Sequence, residues 1–165
     1  MGRAPRDNGD VRFAIDQFAR WIANADSKAG VLGIGLSVVA AAIGVQGRSL
    51  VHRLPAGSFG DWASALGLIA SGAALALSTA LVVRALSPVV AVPRRFSRYS
   101  WSVADAPVAE LVRADDALDR EQAWLMASLL ASIARRKFRN LRRAFGLWAF
   151  ATIAFVAVAL GNLGH

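Results

Sequence analysis

Three stretches of this chain hold no charged side chain at all: residues 29–45, 62–83 and 144–163. The first reads "AGVLGIGLSVVAAAIGV". A helix crossing a bilayer needs about 20 mostly apolar residues, with about 17–25 workable. The first run is at the short end and the other two are ample. A soluble bundle of this length would show charged outer faces on its helices, and these runs show none. Composition agrees: 56% of residues are hydrophobic and 18% charged, against about 45–50% and about 25% in an average soluble domain. The expected fold is an all-α membrane protein with three transmembrane helices and helical cytoplasmic stalks.

Orientation follows from the basic residues, which favour the cytoplasmic side. The arm before the first run carries Arg3, Arg6, Arg12, Arg20 and Lys28. The loop at 46–61 carries only Arg48 and Arg53, whereas residues 84–143 carry twelve bases. Three crossings put the arm and the 84–143 segment on one side, with seventeen bases against two. Residues 1–28 are therefore expected to be a cytoplasmic arm and stalk, and 84–143 a cytoplasmic loop and helices. The run at 46–61 is expected to be external. Acids mixed with bases before residue 29 do not fit a signal peptide, so the first run is read as a retained membrane helix.

Before that run, Val11, Ile15, Phe18, Ile22, Ala25, Ala29 and Leu32 recur at steps of four and three. This heptad-like stripe predicts one continuous helix over about 11–45. Pro88 and Pro93 stop the second helix. Asp105 and Pro107 suggest a helix start, with a break near Asp115-Asp116. From about Trp124 the chain should run unbroken into the third span, with Leu125, Leu129, Ile133 and Leu141 at helical spacing. Small residues form stripes within the spans: Gly30, Gly33, Ser37, Ala41 and Gly44 in the first, and Gly67, Ser71, Ala74 and Ser78 in the second. Such stripes let helices approach closely in lipid, within one chain or between chains.

Catalytic patterns are nearly absent. There is no cysteine, and His52 and His165 are the only histidines, so thiolate and multi-histidine metal sites are not expected. No phosphate-binding glycine loop, nucleophile elbow or H-E-x-x-H occurs. Asp115, Asp116 and Asp119 read as a solvated helix face beside Arg113 and Arg120. A non-enzymatic protein is expected, with no metal and no bound cofactor. No ionisable residue lies inside a span, which argues against proton-coupled transport.

Two basic segments remain. "ARRKFRNLRRAF", residues 134–145, puts Arg135, Arg139 and Arg142 on one helix face, flanked by Arg136, Lys137 and Arg143. Phe138, Leu141 and Phe145 supply its apolar face. It is either a juxtamembrane collar attracting anionic lipid or a phosphate site, because guanidinium forks grip phosphate at two points. "PRRFSRYSW" interleaves Arg94, Arg95 and Arg98 with Phe96, Tyr99 and Trp101. Those aromatics would either stack a nucleobase or anchor the chain at a membrane edge. The net charge of +8 is almost wholly arginine and does not require a nucleic-acid partner.

The sequence resembles a known family at this point. "ADSKAG" at 25–30 opens the first apolar run, as in the "ADxKA" signature of a small membrane family. Pro88 and an aromatic-rich stretch follow the second span. "IARRKFRNLRRA" at 133–144 resembles the family's "K-aromatic-x-x-L-R-x-A" signature, with Phe138 where tyrosine is usual. The family is the transmembrane effectors of the Pycsar anti-phage systems, and the likeness covers about residues 11–163.

The resemblance implies a function. A partner nucleotidyl cyclase makes cyclic CMP or cyclic UMP on infection, and the effector then disrupts the bacterial inner membrane and the cell dies. Asp26, Lys28, Lys137, Leu141 and Arg142 stand at the matching positions. Asp26 and Lys28 precede the first span, as Lys137 and Arg142 precede the third, so both sets should stand at similar height above the membrane. A ligand set of Asp26, Lys28, Arg135, Lys137, Phe138, Arg139 and Arg142 is expected. In the resting state Asp26 would pair with a base of the second stalk. A cyclic nucleotide phosphate would compete for that base, or bind Lys28 and the arginines together, and a homo-oligomer of spans would open or assemble. The alternative is a membrane anchor whose stalks dock a protein partner.

Overall fold

The computed structural model describes residues 9–53, 58–87 and 116–163. These form three α-helices: α1 (Gly9–Arg53), α2 (Phe59–Leu86) and α3 (Asp116–Leu163). All three are long and apolar enough to cross a membrane. The helix expected over 11–45 runs further at both ends, because residues 46–53 contain no proline and continue as helix. Ser58 caps α2 in a capping box: its side chain accepts from the Asp61 backbone N–H, and the Asp61 carboxylate accepts from the Ser58 backbone N–H. Such reciprocal bonds satisfy two of the donors a helix start leaves open. The helix ends at Leu86, with Ser87 as its C-cap and Pro88 next in sequence. α3 is unbroken over its 48 residues and has no proline.

The chain packs as two units, Met1–Ala25 with Pro88–Lys137 and Asp26–Ser87 with Phe138–His165, so α1 and α3 each contribute to both. In the first unit, Val11, Ala123 and Ala127 are buried together, with Ala14, Ile15 and Phe18 packed against them. Arg120 donates to the Asp10 carboxylate at 2.6 Å. Partial burial pushes the Asp10 carboxyl up, but the Arg120 hydrogen bond and charge, with the Val11 backbone N–H, outweigh it and hold the group below its ordinary value.

The second unit is a three-helix bundle. Ala29, Leu32 and Leu36 of α1, Ala74, Leu75 and Val82 of α2, and Leu141, Ala144 and Ala151 of α3 form its core. The Ser78 hydroxyl donates to the Ala144 carbonyl at 2.7 Å, and the Ser64 hydroxyl to the Asn162 side-chain oxygen at 3.0 Å. These pairs run in opposite order along the two helices, so α2 and α3 are antiparallel here. α1 and α3 are parallel: Lys28 shares a groove with Arg142 at one level, and Gly35 lies against Trp148 further along. An up–down–up bundle results. The basic ends at Lys28, Arg84 and Arg139–Arg143 thus lie at one end, with Arg48 and Asp61 at the other.

The outside of this unit is apolar. Val31, Ile34 and Val38 of α1, Leu66, Ile69 and Leu77 of α2, and Phe150, Ile153 and Leu160 of α3 are all exposed. A large exposed apolar surface in a charge-free segment is a lipid-facing one.

The two small-residue stripes have different roles. On α2, Ser71, Ala74 and Ser78 are buried. A Cβ at Gly67 would overlap Val158 Cγ2 of α3, so the glycine is what lets the two helices meet there. On α1, by contrast, a Cβ added at Gly30, Gly33 or Gly44 would meet nothing within 4 Å. The packed face of α1 is the larger one carrying Ala29, Leu32 and Leu36.

Candidate functional site

The α3 segment 134–145 sorts its residues by heptad position. Ala134, Lys137, Leu141 and Ala144 are buried, at steps of three and four, whereas Arg135, Arg136, Arg139, Arg142 and Arg143 are exposed. Lys137 is thus unlike the arginines around it, with only 9% of its surface exposed, as has Asn140. A lysine is rarely so buried unless it is paired, and Lys137 does engage another group. Its position matches the lysine of the signature quoted above.

A groove of about 730 Å³ opens between α1 and α3 in the second unit. Three of the residues expected at the ligand site line it: Lys28, Phe138 and Arg142. Ser27 adds a hydroxyl near its mouth. Beyond these the walls are Val31, Leu32, Gly35, Leu141, Phe145 and Trp148, all apolar apart from the indole N–H. The charged groups lie at one end because the parallel helices carry Lys28 and Arg142 at the same level. Gly35 presents no side chain to the groove, and a Cβ there would meet the Trp148 ring at 3.4 Å. Phe145 and Trp148 pack ring on ring with centroids 5.4 Å apart. The Trp148 Nε1–H is buried and has no hydrogen-bond partner among the described residues.

The other expected site residues are placed as follows. Asp26 is half-buried, less than one turn before Lys28, and does not line the groove. Arg139 is exposed and outside the lining. Arg135 is exposed and Lys137 buried, both in the α3 segment of the first unit. Phe96, Tyr99 and Trp101, and the helix start expected at Pro107, lie outside the described residues. Sequence reasoning missed Val31, Gly35 and Trp148 as groove walls, and the Asp10–Arg120 pair. A tryptophan two turns beyond a basic collar was the available signal for the first. Among the described residues, no group of three or more His, Cys, Asp or Glu is placed to hold a metal ion.

Three spanning-length helices, an apolar outer surface and a basic end define an all-α, multi-pass membrane protein. Its family follows from comparison with family models: residues 10–163 match the Pycsar effector protein domain. The chain therefore belongs to the Pycsar effector family, which ties it to antiviral defence at the level of the family. No curated protein and no solved structure gives a significant match.

Proposed function

We propose that this chain is the membrane-disrupting effector of a cyclic-nucleotide-signalled antiviral system, activated by cyclic CMP or cyclic UMP from a partner cyclase. It would reside in the bacterial inner membrane with the basic end of the bundle in the cytoplasm. The match of the family domain across 10–163 carries this reading. The basic segment supports it: five exposed arginines stand on α3 between residues 135 and 143, and guanidinium groups bind phosphate oxygens in two-point fashion. The nucleotide would meet the exposed arginines of this segment other than Arg142. The stalks would then shift, and copies of the chain would open or assemble in the bilayer.

The test is dye release from vesicles holding the purified full-length chain, with cyclic CMP, cyclic UMP and cyclic AMP added in turn. Calorimetric titration of the same preparation reports binding. Release and heat with a pyrimidine nucleotide, and neither with cyclic AMP, is the expected result. No heat and no release with any of the three would overturn the reading and favour the membrane anchor.

A further inference from the structure

The groove between α1 and α3 is poorly made for a nucleotide. Below Lys28 and Arg142 its walls are hydrocarbon and aromatic ring, and the polar edges of a base or ribose buried there would lose their bonds to water. An acyl chain would lose nothing, since it leaves one apolar environment for another. The position also suits a lipid. Lys28 stands immediately before the charge-free run at 29–45, and Arg142 two residues before the run at 144–163. Both cations therefore sit where the chain enters the apolar layer.

We propose that this groove is a site for one anionic phospholipid, its phosphate held by Lys28 and Arg142 and one acyl chain lying over Val31, Leu32, Phe145 and Trp148. Charge complementarity selects the occupant: among the described residues two cations and no acid line the groove, so a zwitterionic lipid would bring an amine that finds no counter-charge. The volume of about 730 Å³ is in the range of pockets that hold ligands of this size. The groove continues beyond Arg142 to Trp148, six residues or about 9 Å along the helix axis. Gly35 keeps this inner part open where a larger side chain would fill it. The inference does not rest on the nucleotide reading. It assigns Lys28 and Arg142 to lipid and leaves the remaining arginines to the nucleotide.

The full chain is reconstituted into nanodiscs of equal phosphatidylglycerol and phosphatidylcholine, and the retained lipid is counted by native mass spectrometry. Each cation near an anionic surface contributes about a fivefold factor, so the pair should favour phosphatidylglycerol by about thirtyfold. The double variant Lys28→Gln, Arg142→Gln should abolish that preference. Arg139→Gln with Arg143→Gln, on the same collar but outside the groove, should leave it intact. Gly35→Leu, which fills the slot without touching charge, should lower retention as well. The proposal is overturned if the two double variants lose preference equally, which would mean a diffuse collar. Unchanged retention in Gly35→Leu overturns it too. Displacement of the phosphatidylglycerol by cyclic CMP would make the groove the nucleotide's pocket and also overturn it. A chain that gives no dye release with nucleotide yet keeps this lipid pattern would sink the functional reading alone.

Discussion

Gly67 and Gly72 stand five residues apart on the same helix and should respond oppositely to the same substitution. At Gly67 an added Cβ overlaps Val158 Cγ2, while at Gly72 it meets nothing within 4 Å. Valine is held to one χ1 rotamer in a helix, so Val158 cannot turn aside, and α2 and α3 must separate locally. Overpacking of this kind costs about 1–3 kcal/mol. Replacing a helical glycine by alanine returns about 1 kcal/mol at either site. Gly72→Ala should therefore stabilise by about 1 kcal/mol. By the same estimates Gly67→Ala should fall between neutral and about 2 kcal/mol destabilised. The gap between the two is about 1–3 kcal/mol, the overpacking cost itself. Reversible unfolding in mixed micelles, followed by circular dichroism as the denaturing detergent is raised, measures both variants. Adding Val158→Ala to Gly67→Ala should recover most of the loss, with a coupling of about 0.5–3 kcal/mol. If Gly67→Ala is as stable as Gly72→Ala, the close approach of the two helices is wrong.

Ser78→Ala removes the hydroxyl bond to the Ala144 carbonyl. The same unfolding assay should show a loss near 0.6 kcal/mol and no more than about 1.7, the range for interhelical bonds in membranes. Asp10, held below its ordinary value by Arg120, contributes stability that is complete above the unfolded value of about 3.9 and lost as pH falls through the lowered folded value. An acid titration should show this loss below about pH 4, and Arg120→Gln should flatten it.

Much of this fold was legible because lipid imposes such a simple rule. The absence of charge marked three helices, Pro88 marked the end of one, and the stripe from Val11 to Leu32 marked the packed face of α1. On α3 the same reasoning fastened on large residues, Leu125, Leu129 and Ile133. The buried positions of that segment are Ala123, Ala127 and Ala134, and Leu125 is 61% exposed. Apolar periodicity finds bulky side chains, whereas close helix contact selects small ones. The glycine stripe of α1 takes no part in packing among the described residues of the chain, since small residues permit an approach without requiring it. The groove was legible only in part. Lys28, Phe138 and Arg142 could be named from their motifs. That they share a wall with Trp148 depends on the parallel register of helices more than a hundred residues apart. No local pattern encodes that register.

The uncharged interior of the bundle has an electrical consequence. Carrying one elementary charge through a membrane potential of 100 mV involves about 2.3 kcal/mol. The runs at 29–45, 62–83 and 144–163 hold no such charge, and their fastening is by hydroxyl, amide and hydrocarbon. A rearrangement confined to these spans would be neither driven nor resisted by voltage. A leak made by them would not close itself as the potential it discharges runs down. On the proposed reading, such a device would answer its chemical signal alone and, once triggered, would have no voltage-dependent brake.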